Sequence, residues 1–380
     1  MSSSTAKPSG NDHPAQAATA TTSTGTPPPP ASGRLRVGVI GLGIGRMHIE
    51  GWREHPQVDV VAIADSDPAR LRAVGEQFGV QARYTSPAAM LANEQLDVVS
   101  ICTPNRLHKA LTLDAFAAGC HVLCEKPMAM NAVEGREMLA AAQAAGKRLM
   151  INFSYRFSAA SRALKAQVDT GQFGEFYFGR SVWHRRRGMP GFGGWFGIKS
   201  ESGGGPLIDL GVHRLDLALW LMGYPKPTWV LGSCHDPIAR EAAQASGKPF
   251  DVEDLAAAFI RFDNGASLVL EASWAAHIQE AELMETRLLG SKAGLVQKNL
   301  HEGYTFDAHL FSDGPGGAQL DTHIHTPTTP ARSAMFEYAD AILQGRPHPA
   351  PGEQGLVVMQ LLDAIYDSAR TGAPVSLAGR

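Results

Sequence analysis

From Arg34 onward, short β-branched runs alternate with Ala- and Leu-rich stretches in which apolar residues recur every three to four positions. The first pattern suits buried strands and the second amphipathic helices. Strands are predicted at Leu35–Ile40, Val58–Ala64, Val98–Cys102, His121–Cys124 and Leu149–Phe153. Helices are predicted between them at Arg46–His55, Pro68–Phe78, Arg106–Ala118 and Ala132–Ala145. Strands separated by helices pair through crossovers rather than hairpins, so residues 34–155 predict an α/β domain, a doubly wound parallel sheet of the Rossmann type.

After Tyr155 the rhythm changes. One helix, Ala159–Thr170, precedes longer alternating segments at Glu175–His184, Leu255–Phe262, Ala266–Trp274 and Glu285–Leu289, with Asp263-Asn264-Gly265 as a hairpin turn. A second α+β domain on an antiparallel or mixed sheet is therefore expected over 156–380, closed by helices at Arg332–Leu343 and Glu353–Arg370. Residues 1–33 are Ser, Thr, Ala, Pro and Gly-rich, with prolines at Pro27 to Pro30. Such a segment cannot offset its ordering entropy, so it predicts a disordered tail, and it has no apolar core of a secretion signal.

At 380 residues the chain is long enough for two cored domains. The 34 Lys and Arg against 37 Asp and Glu leave a formal charge of -3, with no basic block for nucleic acid or a membrane surface. No apolar run reaches the ~18 residues of a membrane span. The cysteines Cys102, Cys120, Cys124 and Cys234 lack metal-ligand spacing and predict reduced thiols in the cytoplasm. A small molecule is the expected partner.

The first chemical signal is Gly41-Leu42-Gly43-Ile44-Gly45, lying directly after a buried strand and before a helix. In that context Gly41 permits a tight turn and Gly43 a close approach of backbone to a pyrophosphate, beside the free amides of a helix start. The third glycine comes one residue earlier than in G-x-G-x-x-G, so either the loop is tighter or Gly45 opens the helix. Asp65 ends the second strand 22 residues after Gly43, where a carboxylate binds the adenosine ribose and disfavours a 2′-phosphate. NAD is thus expected in preference to NADP. The alternatives are that Asp65 caps the helix at Pro68, or that Arg70 or Arg72 folds back to receive a phosphate.

Two more clusters, Cys102-Thr103-Pro104-Asn105-Arg106-Leu107-His108 and Cys124-Glu125-Lys126-Pro127, follow strands at the ligand-binding edge of the sheet. A third, Gly203 to Asp216, contains Asp209 and His213. Together, from about Leu35 to the C-terminus, they resemble the glucose-fructose oxidoreductase, inositol dehydrogenase and rhizopine-catabolism (Gfo/Idh/MocA) family. The resemblance implies a Rossmann domain followed by an α+β domain with a large, mainly antiparallel open sheet, catalytic roles for Lys126, Asp209 and His213, and a cis bond before Pro127. It also implies that Thr103, Pro104 and Asn105 line the cofactor through their backbone. Glu125 is expected to support the backbone, and His108 to brace the nicotinamide loop.

The residue chemistry supports those roles. Removing a hydride from a secondary alcohol needs a base for the hydroxyl proton and a donor for the growing alkoxide. Asp209 and His213, four apart, face one side of a helix. His213 suits the base, Asp209 either orients it or binds a substrate hydroxyl, and Lys126 hydrogen-bonds the reacting oxygen. Asp216, one turn on, is expected to be structural. The run Trp183 to Pro190 and the Gly-rich loop Gly191 to Phe196 offer sugar-stacking rings and hydroxyl-binding Arg forks. Tyr155, Arg156, Arg187 and Trp195 are the substrate candidates, the rival reading being a sheet edge or subunit contact. His323 and His325, two residues apart and without nearby acidic partners to complete a ligand set, read as loop residues, and no metal is expected.

The expected activity is NAD-dependent oxidation of a sugar, glycoside or polyol. The alternatives are a glycosidase- or epimerase-like enzyme that retains its NAD, or a non-catalytic cofactor-binding regulator. An exposed apolar sheet face predicts a homodimer or homotetramer.

Overall fold

The computed structural model describes residues 33–325 and 331–378. The tail expected over 1–33 lies, apart from Gly33, outside the described residues. The first sheet comprises β1 (Leu35–Ile40), β2 (Val58–Ala64), β3 (Ala82–Tyr84), β4 (Val98–Ile101), β5 (His121–Cys124) and β6 (Leu149–Ile151). All are parallel, in the order β3-β2-β1-β4-β5-β6. Leu35, Val37, Val39 and Ile40 are all buried, as a strand covered on both faces requires.

The covering helices are α1 (Gly45–Arg53), α2 (Pro68–Gln77), α3 (Pro87–Asn93), α4 (His108–Ala117) and α5 (Ala132–Ala145). Their ends follow local chemistry. Asp67 caps α2 by accepting from the Ala69 and Arg70 amides, with Pro68 in the first turn, and Asn131 caps α5 through the Glu134 amide. Gly146 closes α5 at φ 61°. β3 and α3 have three and seven residues, too few to set a hydrophobic period, and so do not show in the sequence pattern.

The remainder follows as α6 (Ala159–Val168), β7 (Phe176–Arg185), α7 (Lys199–Ser202), α8 (Val212–Met222), β8 (Pro227–His235), α9 (Pro237–Ser246), β9 (Leu255–Phe262) and β10 (Ser267–Ser273). Then come β11 (Glu282–Gly290), β12 (Ala293–Leu300), β13 (Thr305–Asp313), β14 (Gln319–His323), α10 (Ala334–Leu343), α11 (Gly352–Thr371) and β15 (Val375–Ser376). The second sheet runs β14-β13-β12-β11-β7-β10-β9-β8-β15, antiparallel except for the β7–β10 pair. One face is covered by α6, α8 and α11. The other is open and carries exposed Tyr177, Trp229, Leu231 and Phe311. The sheet is large and mainly antiparallel, as expected, although β8 and β12 to β14 do not stand out in the sequence because their patterns are mixed. In β14, for example, all five residues are exposed.

Three sequence expectations are corrected here. Arg156 does not reach a ligand space. It is buried, with Nε and Nη2 on the Asp216 carboxylate at 2.8 and 2.5 Å, Nη1 on the Pro349 carbonyl and Gln354 Oε1 at 2.6 Å, and Nη2 also on the Tyr224 hydroxyl. Arg187 is exposed beyond the end of β7. His323 belongs to β14 rather than to a loop, and it has acidic neighbours, because β13 brings Asp307 beside it. Among the described residues, no helix is long and apolar enough to cross a membrane.

The Arg156–Asp216 pair ties the segment after β6 to α8 and to the start of α11, so breaking it leaves a charge buried and unpaired. Asp216→Ala is expected to lower the unfolding free energy by about 3–5 kcal/mol, as measured by urea denaturation. A loss within experimental error would refute this clamp.

Candidate active site

The glycine loop turns where the sequence places it. Gly41 has φ 86°, and a Cβ there would lie 2.6 Å from the Cys102 carbonyl oxygen, so only glycine fits. Around Gly43, by contrast, a Cβ would meet nothing within 4 Å, leaving the backbone open to a ligand. Gly45 starts α1, and a Cβ there would stand 3.0 Å from Val39. Of the two readings left open, the structure takes the one in which Gly45 opens the helix, and its smallness serves helix–strand packing. Asp65 is not the helix cap, a role held by Asp67. Its two carboxylate oxygens accept from the Leu42 amide at 2.7 Å and the Asp67 amide at 2.8 Å, which fixes the loop, while Arg70 stands 3.2 Å away.

These residues open one end of a cavity of about 1490 Å³ that is also lined by Ile44, Thr103, Pro104, Asn105, Glu125, Lys126, Tyr155, Trp195, Asp209 and His213. His108 does not line it. Its ring spans the Thr103 and Pro127 carbonyls at 2.9 and 2.8 Å, so it braces two lining loops and does not itself contact the cavity. The Thr103 hydroxyl is buried without a partner among the described residues and Asp65 lines the same cavity at the end of β2, features that fit a dinucleotide.

At the far end the two halves of the chain meet. Lys126, next to a cis bond to Pro127, directs Nζ to Asp209 Oδ1 at 2.8 Å and to its carbonyl at 3.1 Å. Trp274 Nε1 donates to the other Asp209 oxygen at 3.0 Å. Burial alone would favour the protonated acid, but the Lys126 charge and hydrogen bond, together with Trp274, hold the Asp209 carboxyl below its usual range. Asp209 makes no hydrogen bond to His213, so the expectation that it orients the imidazole is corrected: it orients the ammonium. The segment is also not a regular α-helix, because Leu207–Gly211 forms a π-turn ahead of α8.

His213 packs edge-on to Tyr155, with centroids 5.0 Å apart, and its Nδ1 is enclosed without a partner among the described residues. Burial, then the positive charges of Lys126, Arg214 and Arg185, push its pKa well below the ordinary histidine value. Arg214 is fully buried, has no carboxylate at ion-pair distance among the described residues, and lies 4.6 Å from the Tyr155 ring centroid and 5.1 Å from that of Phe306. Its pKa is pushed down to about 10 by burial.

Several supporting residues, His48, Ser100 and Asn152 among them, are not legible in the sequence. Glu125 accepts from His48 Nε2 at 2.8 Å and Asn152 Nδ2 at 2.6 Å, and Ser100 links His48 to Trp52 beneath. Burial opposes ionisation of Glu125, but His48 and Asn152 outweigh it and lower its pKa. Arg185 takes the place expected for Arg187. The two-residue alternation of β7 carries it to the same face as Trp183, and it bonds Glu282 and the Tyr304 hydroxyl, both at 2.8 Å. That alternation was the available signal. For Asn152 and Tyr304, which line the cavity, and Trp274, which meets it through Asp209, there was none, since each is brought there by a long-range pairing.

Residues 35–153 match the family model described as "Oxidoreductase family, NAD-binding Rossmann fold", and residues 161–296 match "GFO/IDH/MocA C-terminal domain". The chain is also 36% identical to D-glucoside 3-dehydrogenase of Escherichia coli (strain K12), over 90% of this chain and 97% of that protein. The chain belongs to the Gfo/Idh/MocA family. As a member of that family it is an oxidoreductase whose first sheet forms an NAD-binding Rossmann fold. Among solved structures, the aldose-aldose oxidoreductase from Caulobacter crescentus complexed with glycerol superposes with a TM-score of 0.77 at 26% identity, over 90% of this chain and 100% of that one. Levoglucosan dehydrogenase in complex with NADH shares the Gfo/Idh/MocA fold, with a TM-score of 0.80 at 23% identity over 90% and 99% of the two chains.

The open space at Gly43 yields a clean test of the dinucleotide end. Gly43→Ala should leave the unfolding free energy within about 0.5 kcal/mol of the parent, since the added methyl meets no protein atom. NAD binding by titration calorimetry should weaken about tenfold or more, or at least about 1.4 kcal/mol. Unchanged affinity would place the pyrophosphate elsewhere.

Proposed function

We propose that this protein is an NAD-dependent dehydrogenase that oxidises a secondary hydroxyl of a sugar, glycoside or polyol. The observation that carries the reading is the meeting of Lys126 from the first half with Asp209 and His213 from the second, inside the cavity that begins at the glycine loop. NAD, when bound, supplies the hydride acceptor. Gly41, Gly43, Asp65 and Thr103 would hold it, and Asp65 favours a free ribose hydroxyl over a phosphate.

The chain's own groups manage the proton and the charge. His213 is held neutral by burial and its cationic surroundings, so it is ready to take the hydroxyl proton. The Lys126 ammonium, aimed by Asp209, donates a hydrogen bond to the reacting oxygen as negative charge builds there. Tyr155, Trp183, Trp195 and Tyr304 offer rings against which a pyranose can stack, and Arg185 can bind its hydroxyls. The names of the Escherichia coli and Caulobacter crescentus relatives, a glucoside dehydrogenase and an aldose oxidoreductase, point to the same substrate class.

The wider reading assigns residues 34–155 to the cofactor and 156–380 to substrate and assembly. The exposed rings and aliphatics on the open sheet face support a homodimer or homotetramer. Four free thiols suit the reducing cytoplasm.

The direct test follows absorbance of reduced nicotinamide with NAD and NADP against a panel of monosaccharides, glycosides, anhydrosugars and inositols. Net NADH formation with at least one of them is expected. Sugar turnover without net NADH would instead indicate a cofactor-retaining enzyme, and no turnover at all would refute the proposal. With the best substrate, Lys126→Met should lower kcat by about 10²–10³ and His213→Ala by about 10²–10⁴ with the fold intact by circular dichroism.

The pH profile provides an independent check. The neutral imidazole is the working form and its folded pKa is depressed, so kcat/KM for oxidation should hold through pH 6.5 and decline only at lower pH, as His213 takes up its proton. An acid limb centred above 6.5 would exclude His213 as the base.

A further inference from the structure

A second group of chemically capable side chains lies outside the cleft lining, on the outer two strands of the open sheet. Asp307 and His309 are two residues apart on β13, so they share a face. The strand register sets His323 of β14 directly opposite His309, and Asp321 stands two residues before it on the same face. The alternate residues Ala308 and Leu310 pack inward with α6, which leaves these four polar groups on the side of the sheet that no helix covers.

Their orientation is convergent. His309 Nε2 lies 3.1 Å from one Asp307 oxygen, and His323 Nε2 lies against the other. One donor atom from each of Asp307, His309 and His323 lies within 4.8 Å of the others, a spread that three ligands of one ion can adopt. Behind His309, Nδ1 meets Asp321 Oδ1 at 2.8 Å. This is the outer carboxylate–imidazole contact that fixes the proton on Nδ1 and turns the Nε2 lone pair inward in metal centres. His325 packs on His323 with centroids 4.3 Å apart and offers a further nitrogen. The neighbouring cation, Lys298, pairs with Asp307 across the strands, but its ammonium is drawn toward Glu280 at 3.9 Å.

We propose that Asp307, His309 and His323 form a binding site for a divalent transition-metal ion of the zinc class. Two imidazoles and one carboxylate suit zinc, cobalt, nickel or copper, whereas magnesium and calcium prefer oxygen donors. Three protein ligands leave at least one position for water or His325. The ion would fasten β14, an edge strand whose five residues are all exposed, to β13. This site is separate from the cleft, and the proton and hydride chemistry above does not use it.

The test uses the tag-free full-length protein, stripped with a chelator and dialysed, and titrates it with Zn²⁺ alone. One saturable equivalent per chain is expected, with a rise in unfolding temperature. Co²⁺ should give visible absorption of a nitrogen-and-oxygen site. His309→Ala and the more conservative His323→Gln should each weaken Zn²⁺ binding at least tenfold and abolish the thermal shift, with NADH-forming activity retained as evidence of folding. His301→Ala, on an exposed loop outside the group, should bind as the parent does. Absence of saturable binding would overturn the proposal. So would binding that survives both His309→Ala and His323→Gln, or binding lost only in His213→Ala, which would place the ion in the cleft.

Discussion

The hydrogen-bonded ion pair between Lys126 and Asp209 is the contact on which the cleft depends. One partner follows a strand of the parallel sheet and the other sits in the π-turn that precedes α8, so the pair forms only when both halves of the chain have folded and docked. Each group is mostly enclosed, with 17% of either side chain exposed, so the pair is partly desolvated and sensitive to whatever else enters the cavity. Around it the Asn105 amide reaches the Ser202 carbonyl at 2.7 Å, and Arg106 pairs with Glu201, which keeps the two lips of the cleft in register.

The electrostatics of the cleft are lopsided in a useful way. Lys126, Arg185 and Arg214 surround His213, while the two nearby carboxylates are already engaged, Asp209 with Lys126 and Glu282 with Arg185. The imidazole is therefore left neutral, with no partner among the described residues at Nδ1. A guanidinium such as that of Arg214, with no ion-pair partner among the described residues and three aromatic rings around it, is unusual in a protein interior, and its cost is offset in part by the ring faces it meets.

Much of this arrangement is legible in the amino-acid sequence, and the exceptions share a cause. The strands at Leu35–Ile40, Val58–Ala64 and His121–Cys124 and the helix at Ala132–Ala145 have the limits the pattern predicts, because each is buried on a consistent face or ended by a strong cap such as Asn131. The glycine loop and the three polar clusters stand out because strand ends and helix starts are local features. What the sequence hides is which distant group a polar residue meets. Arg156 and Arg187 look like equal candidates for a sugar, yet one is sealed against Asp216 and the other lies past the end of its strand. His323 reads as a bare loop residue until strand register brings Asp307 beside it. The same holds for Asp209, whose partner is 83 residues away rather than one helical turn along.

The position of the last helices has a consequence for how the chain is made. Tyr338 of α10 is fully buried, and its hydroxyl donates to the Val122 and Arg148 carbonyls, while Met335 packs where a side chain at Gly51 of α1 would project. A ribosome delivers these residues roughly two hundred positions after the strands they cover. Until then the nascent nucleotide-binding lobe carries an uncovered apolar flank, so its completion waits until α10 has been made and leaves that flank exposed to chaperones in the interval.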